Sequence, residues 1–215
     1  MTKEEKDTFC QLMASLLSPP DQEMVEQIHQ GNLSSFFEHY RDSWRMDIGL
    51  LKGFLMKGNP QILLTQLKKE YNRLFSDVGG KNISLVESVY KPWSQDPSCC
   101  LPFATEQGLL MGDSALHLLA VYQQCGLEVS EEFRGRSDHI VLELEFLSSL
   151  YRWASDREIS RFIEDHLDWI PLLKEEVKKF NPHPFYSSVL EILDLFLHRE
   201  RKRLEMESDG KKNTH

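Results

Sequence analysis

An all-α fold, one bundle of about nine to eleven helices, follows from three observations. Apolar residues recur three or four positions apart along almost the whole chain, and strand-like alternation is nearly absent. Only 11 glycines and 9 prolines interrupt 215 residues. Leu, Glu and Lys, all good helix formers, are abundant. The pattern fails in one place, a segment near 77–103 that reads as a long ordered loop.

Residues 4–17 place Phe9, Leu12, Met13, Leu16 and Leu17 on one face of a first helix. Ser18-Pro19-Pro20-Asp21 stops it and opens the next. Met24, Val25 and Ile28 line a short second helix that Gly31 ends, and Leu33, Phe36, Phe37 and Tyr40 line a third. An apolar stretch from Met46 to Met56 contains Gly49 and Gly53. Asn59-Pro60 starts a long helix in which Ile62, Leu63, Leu67, Tyr71 and Leu74 form a core stripe.

The segment from Asp77 to Pro102 holds Gly79, Gly80, Pro92, Pro97 and Pro102, so it is not a helix. It also holds Val86, Val89, Tyr90 and Trp93, which are costly to leave in water, so it is expected to pack. Helical spacing resumes from Thr105 to Gln124, with Gly126 as a C-cap. Phe133 to Arg136 reads as a linker. Ser137 then reads as the cap of a helix through Arg152, with Asp138 in its first turn. That helix is apolar nearly all round, which suits the centre of a bundle. Three more helices are read at 156–167, 169–180 and 183–207.

The length supports one substantial core and is short for two ordinary domains. The reading is one helical domain over 1–205, with a hinge at 126–136 and a flexible polar tail at 206–215. Exchange across such a hinge is a low-cost route to a dimer, so a monomer or a domain-swapped dimer is expected.

The net charge is −9. Residues 199–215 carry six basic and four acidic side chains, which leaves −11 on the rest. That balance argues against nucleic acid and favours cationic ligands such as basic peptides. The N-terminus lacks a signal-peptide layout and no apolar run reaches 18 residues, so a cytoplasmic protein without stable membrane insertion is expected.

Few motifs carry chemistry. There is no GxxxxGK, HExxH, CxxC or GxSxG pattern. Four cysteines show no paired spacing. The adjacent Cys99 and Cys100 cannot easily close a disulfide and read as loop thiols. Asp138-His139 looks like half of a metal-hydrolase signature. Helix neighbours point about 100° apart, however, so the two do not form a dyad. Glu87 lies beside aromatic residues, an arrangement that suits a cationic ligand or, equally, a solvated glutamate next to a buried tyrosine.

Four segments, taken in order, resemble the TorD/DmsD family of molybdoenzyme chaperones. Tyr71-Asn-Arg-Leu74-Phe75 resembles its YxxLF helix end, and Glu87-Ser88-Val-Tyr90 its SVY element. Ser137-Asp138-His139 with Leu142, Glu143, Leu144 and Phe146 resembles its DH helix start. His166-Leu-Asp-Trp169 and Phe180 to Tyr186 resemble its C-terminal helices. The match covers roughly 60–205. It departs at Arg136-Ser137, where the family often has Glu-Pro, and at Leu85-Val86, where some members have Pro-Trp.

The resemblance implies a cytoplasmic, non-catalytic chaperone. Such a chaperone binds the twin-arginine signal peptide, the apo catalytic subunit, or both, of a molybdopterin-containing DMSO/TMAO-reductase-like enzyme, and holds it for cofactor insertion before export. It implies a peptide-binding region at Tyr71, Leu74, Phe75, Leu85, Val86, Glu87, Ser88, Tyr90, Gly112, Asp138 and His139. It implies no catalytic residues, metal or resident cofactor; weak guanine-nucleotide binding is associated with the family only. Three alternatives stay open: a nitrate reductase delta-subunit-like assembly chaperone, a generic helical scaffold, and a metallohydrolase using Asp138, His139 and His117 or His166.

Overall fold

The computed structural model describes residues 1–56, 58–76 and 82–212. Among them there are nine α-helices, three short 3-10 helices and no strand. The helices are α1 Lys3–Leu16, α2 Gln22–His29, α3 Asn32–Trp44, α4 Pro60–Phe75, α5 Asp113–Gln124, α6 Ile140–Trp153, α7 Asp156–His166, α8 Ile170–Lys179 and α9 Pro184–Lys212. They group into two compact units, each built from two separate stretches of chain. One comprises 1–14 and 84–173, the other 15–83 and 174–215.

In the first unit α6 is the central element, as its apolar circumference predicts. Ile140, Leu144, Leu147, Leu150 and Tyr151 are buried together with Phe9 and Met13 of α1, Leu118 and Tyr122 of α5, and Ile159 and Ile163 of α7. Phe146 meets both Tyr122 and Phe162 edge-on or tilted, with ring centres 5.1 and 5.2 Å away. Helix α7 opens on a complete capping box, in which Ser155 and Glu158 each satisfy a backbone N–H of the other.

In the second unit α9 carries the core. Phe185, Tyr186, Val189, Leu193, Phe196 and Leu197 are buried with Phe37, Phe54, Leu67 and Leu74. The 3-10 helix Ile48–Phe54 lies along α9. Gly53 makes that approach possible, because a Cβ there would come within 2.6 Å of the Pro184 carbonyl. Asp21 and Asn59 cap α2 and α4 through their side chains, as their positions in the sequence suggest. Gly126 follows α5 with φ +71°, the left-handed terminus expected of it.

The structure corrects three local readings. Helix α5 starts at Asp113, not Thr105. The carbonyls of Ala104 and Glu106 accept from Ser94 and Trp93 at 2.8 and 2.9 Å, so they are engaged by a distant segment before any helix can use them. Helix α6 starts at Ile140, capped by His139 and not Ser137, and Asp138 lies outside it. Ile62 is 60% exposed, so the buried stripe of α4 consists of Leu63, Leu67 and Leu74. Residues 77–81 of the expected loop and the last three of the expected tail lie outside the described residues; α9 continues to Lys212.

The Gly53 contact is testable. Gly53→Ala should destabilise the fold by about 1–3 kcal/mol, the usual cost of an overpacked core site, read as a lower midpoint in chemical denaturation. An unchanged midpoint would show that the 3-10 helix can retreat from α9.

Candidate functional site

The loop after Ile83 crosses the start of α6 as a strap. The Ile140 N–H donates to the Leu85 carbonyl at 2.9 Å, and the Glu87 N–H donates to the Asp138 carbonyl at 2.9 Å. Val86 and His139 form an isolated antiparallel bridge between them. The Ser88 N–H donates to Asp138 Oδ2 at 2.7 Å. Asp138 is fully buried, and burial pushes its carboxyl above the ordinary value against the bonds from Ser88.

On either side of Asp138 the junction is equally tied down. Ser137 Oγ donates to the Ala115 carbonyl at 2.7 Å. The His139 ring accepts from the Val141 N–H at 3.3 Å and meets Phe133 with ring centres 4.9 Å apart. That acceptor role requires a neutral imidazole. Burial, aided by the positive charge of Arg136, lowers the His139 pKa to about 4.

Beneath the strap lies a buried polar network. Glu87 pairs with Lys91 at 2.6 Å and with His166 Nδ1 at 3.0 Å. His166 Nε2 faces Nδ1 of His117, an exposed residue, at 2.8 Å. Lys91 also meets Asp168 at 2.6 Å and donates to the Asp165 carbonyl at 2.7 Å. Burial works to raise the Glu87 pKa, but His166 and Lys91 outweigh it and keep the carboxylate ionised below its ordinary value. Burial likewise opposes the Lys91 charge, and Glu87 and Asp168 outweigh it.

Glu143 is the odd member. It is completely buried on α6 and accepts from the Trp169 indole at 3.1 Å. Burial, then the negative charges of Glu87 and Asp138, push its pKa well above the ordinary value. A buried carboxyl in such company stays protonated.

The residues expected from the sequence thus divide. Leu85, Val86, Glu87, Ser88, Asp138 and His139 come together in the first unit, all buried. Tyr90 joins them half-buried, stacked on Trp169 with ring centres 5.0 Å apart. Glu87 is neither solvated nor open to a ligand. Gly112 is buried where a Cβ would lie 2.6 Å from the Trp93 carbonyl. Tyr71, Leu74 and Phe75 belong to the second unit. There Leu74 is buried, and the Phe75 ring meets Tyr71 edge-on with ring centres 5.2 Å apart and Tyr186 edge-on at 5.6 Å.

The metallohydrolase alternative loses its parts to these bonds. Asp138 holds the strap, His139 caps α6, and His117 and His166 hold each other. No group of three or more His, Cys, Asp or Glu among the described residues could hold a metal ion.

Beside the buried junction an open groove of about 410 Å³ is lined by the apolar Met111, Leu119, Leu127, Val129 and Phe133 and by Gln123 and Ser137, with the charged Glu128, Glu131 and Arg134 also facing it. The sequence reading took 126–136 only as a hinge or linker. What marks them is the partial or full exposure of Met111, Leu119, Leu127, Val129 and Phe133 beside a buried motif, which periodicity does not report.

With this geometry in hand, comparison with known proteins is decisive. A family model described as "Nitrate reductase delta subunit" matches residues 37–179. The chain belongs to this family. Its relatives include the Chaperone protein TorD of Vibrio vulnificus strain YJ016, 28% identical over an alignment of 112 residues that covers 45% of this chain and 52% of that protein. TorD of Vibrio cholerae strain ATCC 39541 is 27% identical over 125 residues, 51% of this chain and 57% of that one. TorD of Shewanella loihica is 21% identical over 180 residues, 82% of each chain. The chain spans about half the length of the Vibrio relatives it matches. Membership bears out the resemblance read from the ordered motifs, and no described helix is long and apolar enough to cross a membrane.

Two titrations follow. Glu143 has a raised folded pKa, so its contribution to stability is present at low pH and lost as pH rises from its ordinary value towards the folded one, by about 1.4 kcal/mol per unit. Glu143→Gln should remove that loss. Denaturation midpoints of wild type and variant should diverge as pH rises above the ordinary glutamate value, and parallel curves would rule out a buried neutral acid. His139 behaves oppositely. Its pKa of about 4 lies below the ordinary 6.5, so roughly 3 kcal/mol should be lost as pH falls between those values. His139→Asn should lessen that loss.

Proposed function

We propose that this chain is a maturation chaperone that binds the twin-arginine signal peptide of a molybdopterin-containing oxidoreductase. In this reading it holds the apo enzyme for cofactor insertion before export. One observation carries the proposal: an open groove with an apolar floor, edged by two carboxylates and the Arg134 guanidinium, abuts the buried junction built from the family motif. The groove touches that junction through Ser137, which lines it, and through Phe133, whose ring meets His139.

The energetics suit a basic peptide followed by an apolar stretch. Each apolar side chain seated in the groove contributes roughly 1.5–3 kcal/mol. Exposed ion pairs with Glu128 or Glu131 contribute about 0–1 kcal/mol each. Affinity is therefore set by the apolar lining, while the acidic chain attracts the arginines and speeds encounter. The buried motif residues have a holding role. Asp138, Ser88, Glu87 and Gly112 fix the groove wall, and Tyr71, Leu74 and Phe75 fix α4 to α9 in the second unit. Neither set performs chemistry, so the reading is of a binding protein and not an enzyme.

A second reading is favoured by the description of the family model. The client would then be a non-exported enzyme, as for a nitrate reductase assembly chaperone. Calorimetric titration with a synthetic twin-arginine signal peptide, beside a twin-lysine control, separates the two. Micromolar or tighter binding weakened by the lysine swap is expected. Absence of binding, with capture of an apo catalytic subunit lacking such a peptide, would select the second reading.

The holding role has its own test. Asp138→Ala leaves the Ser88 N–H without its acceptor, so it should fold with a loss of about 1–3 kcal/mol and bind peptide more weakly. Asp138→Asn keeps an acceptor oxygen and should restore most of both. If the alanine variant binds as wild type, Asp138 has no part in the site.

A further inference from the structure

Met111 is out of place in its backbone. Its φ of +60° lies in the left-handed region, where side chains other than glycine rarely sit. The other two such residues among the described residues, Arg45 and Asn181, follow the ends of α3 and α8, where this geometry ordinarily closes a helix. Met111 ends no helix.

Its neighbours explain how the conformation is held. The Trp93 indole N–H donates to the Leu110 carbonyl at 3.3 Å, and the Asp113 N–H donates to the Trp93 carbonyl at 2.8 Å. Both ends of the 110–113 turn are thereby tied to one residue, and Gly112 fits beneath the same carbonyl. Met111 is left on the outside, 36% exposed, as one wall of the groove. A strained residue that presents a flexible thioether to a groove points to binding.

The apolar surface does not stop at Met111. Leu110 is 48% exposed and Phe103 36% exposed, and Phe103 meets Trp93 edge-on with ring centres 5.0 Å apart. Met111, which lines the groove, is thus the chain neighbour of Leu110, whose exposed side chain and Trp93-held carbonyl belong with the Trp93–Phe103 pair. The charge around this surface is net negative, although Arg134 also lines the groove. Residues 93–136 contain six acidic side chains and two arginines. Arg134 is 3.4 Å from Glu131, and Arg136 donates to the Glu132 carbonyl at 2.6 Å. Two copies of this acidic surface would repel, whereas an apolar segment with a basic head is complementary to it.

We infer that Met111 bridges a two-part seat, groove and Trp93–Phe103 surface, for the apolar stretch that follows the basic residues of the bound peptide. This rests on the peptide-binding reading above and adds a specificity determinant to it. Because the seat is longer than the groove, the chain should discriminate peptides by the length of their apolar stretch.

The test titrates the full chain with two synthetic peptides that share a twin-arginine head. One carries a long leucine-rich stretch, and in the other all but the first two apolar residues are serine. Wild type should bind the longer peptide at least about tenfold more tightly, a factor within what one buried apolar side chain supplies. Met111→Gly should cut that preference strongly while leaving the melting temperature unchanged or higher, because glycine adopts this φ freely. Preference retained in Met111→Gly overturns the inference and leaves the peptide reading standing. A fall in melting temperature together with affinity overturns it too, by making Met111 structural. Binding of neither peptide by wild type overturns both. Self-association that Met111→Gly abolishes and peptide does not displace would make a second copy the occupant, contrary to the inference.

Discussion

The first unit is organised around a carboxylate that water cannot reach. Asp138 accepts the Ser88 N–H with its side chain and the Glu87 N–H with its carbonyl. These bonds fasten the strap to the start of α6 across about fifty residues of sequence. A buried carboxylate without such donors would cost several kcal/mol; with them, it dictates where the strap lies. Once the strap is placed, Glu87 has to enter the interior, and its charge calls for Lys91 and His166 beside it.

That order of dependence explains the composition of the network. A buried charge pair offsets its own desolvation only with good geometry and further bonds. Lys91 has three partners, in Glu87, Asp168 and the Asp165 carbonyl. His166 is fixed in one arrangement by Glu87 on one ring nitrogen and His117 on the other. Burial first, and then the charges of Glu87 and Asp138, disfavour ionisation of Glu143. Outside this buried set Met111 and Leu127 stay exposed and Phe133 half-buried.

Division of labour between buried and exposed residues also accounts for the family signature. The motif residues are those whose replacement would leave a buried group without its partner. The groove residues are apolar and interchangeable in kind, so they leave little mark on a sequence.

Much of the fold was legible from one dimension. Burial on one side of a helix imposes a 3.6-residue period, so the stripes on α1, α4, α6 and α9 could be read directly, along with starts at Asp21 and Asn59-Pro60 and a stop at Gly126. The order of the YxxLF, SVY and DH segments was enough to indicate the family. Tertiary structure alone decided the rest, because hydrogen bonds between distant segments have no period. They took the carbonyls of 104–106 out of α5, kept Asp138 out of α6 and turned Met111 outward. They also buried Glu87 and Glu143, which look like solvated glutamates in the sequence, since residue type reports the cost of burying a charge but not the partners that offset it.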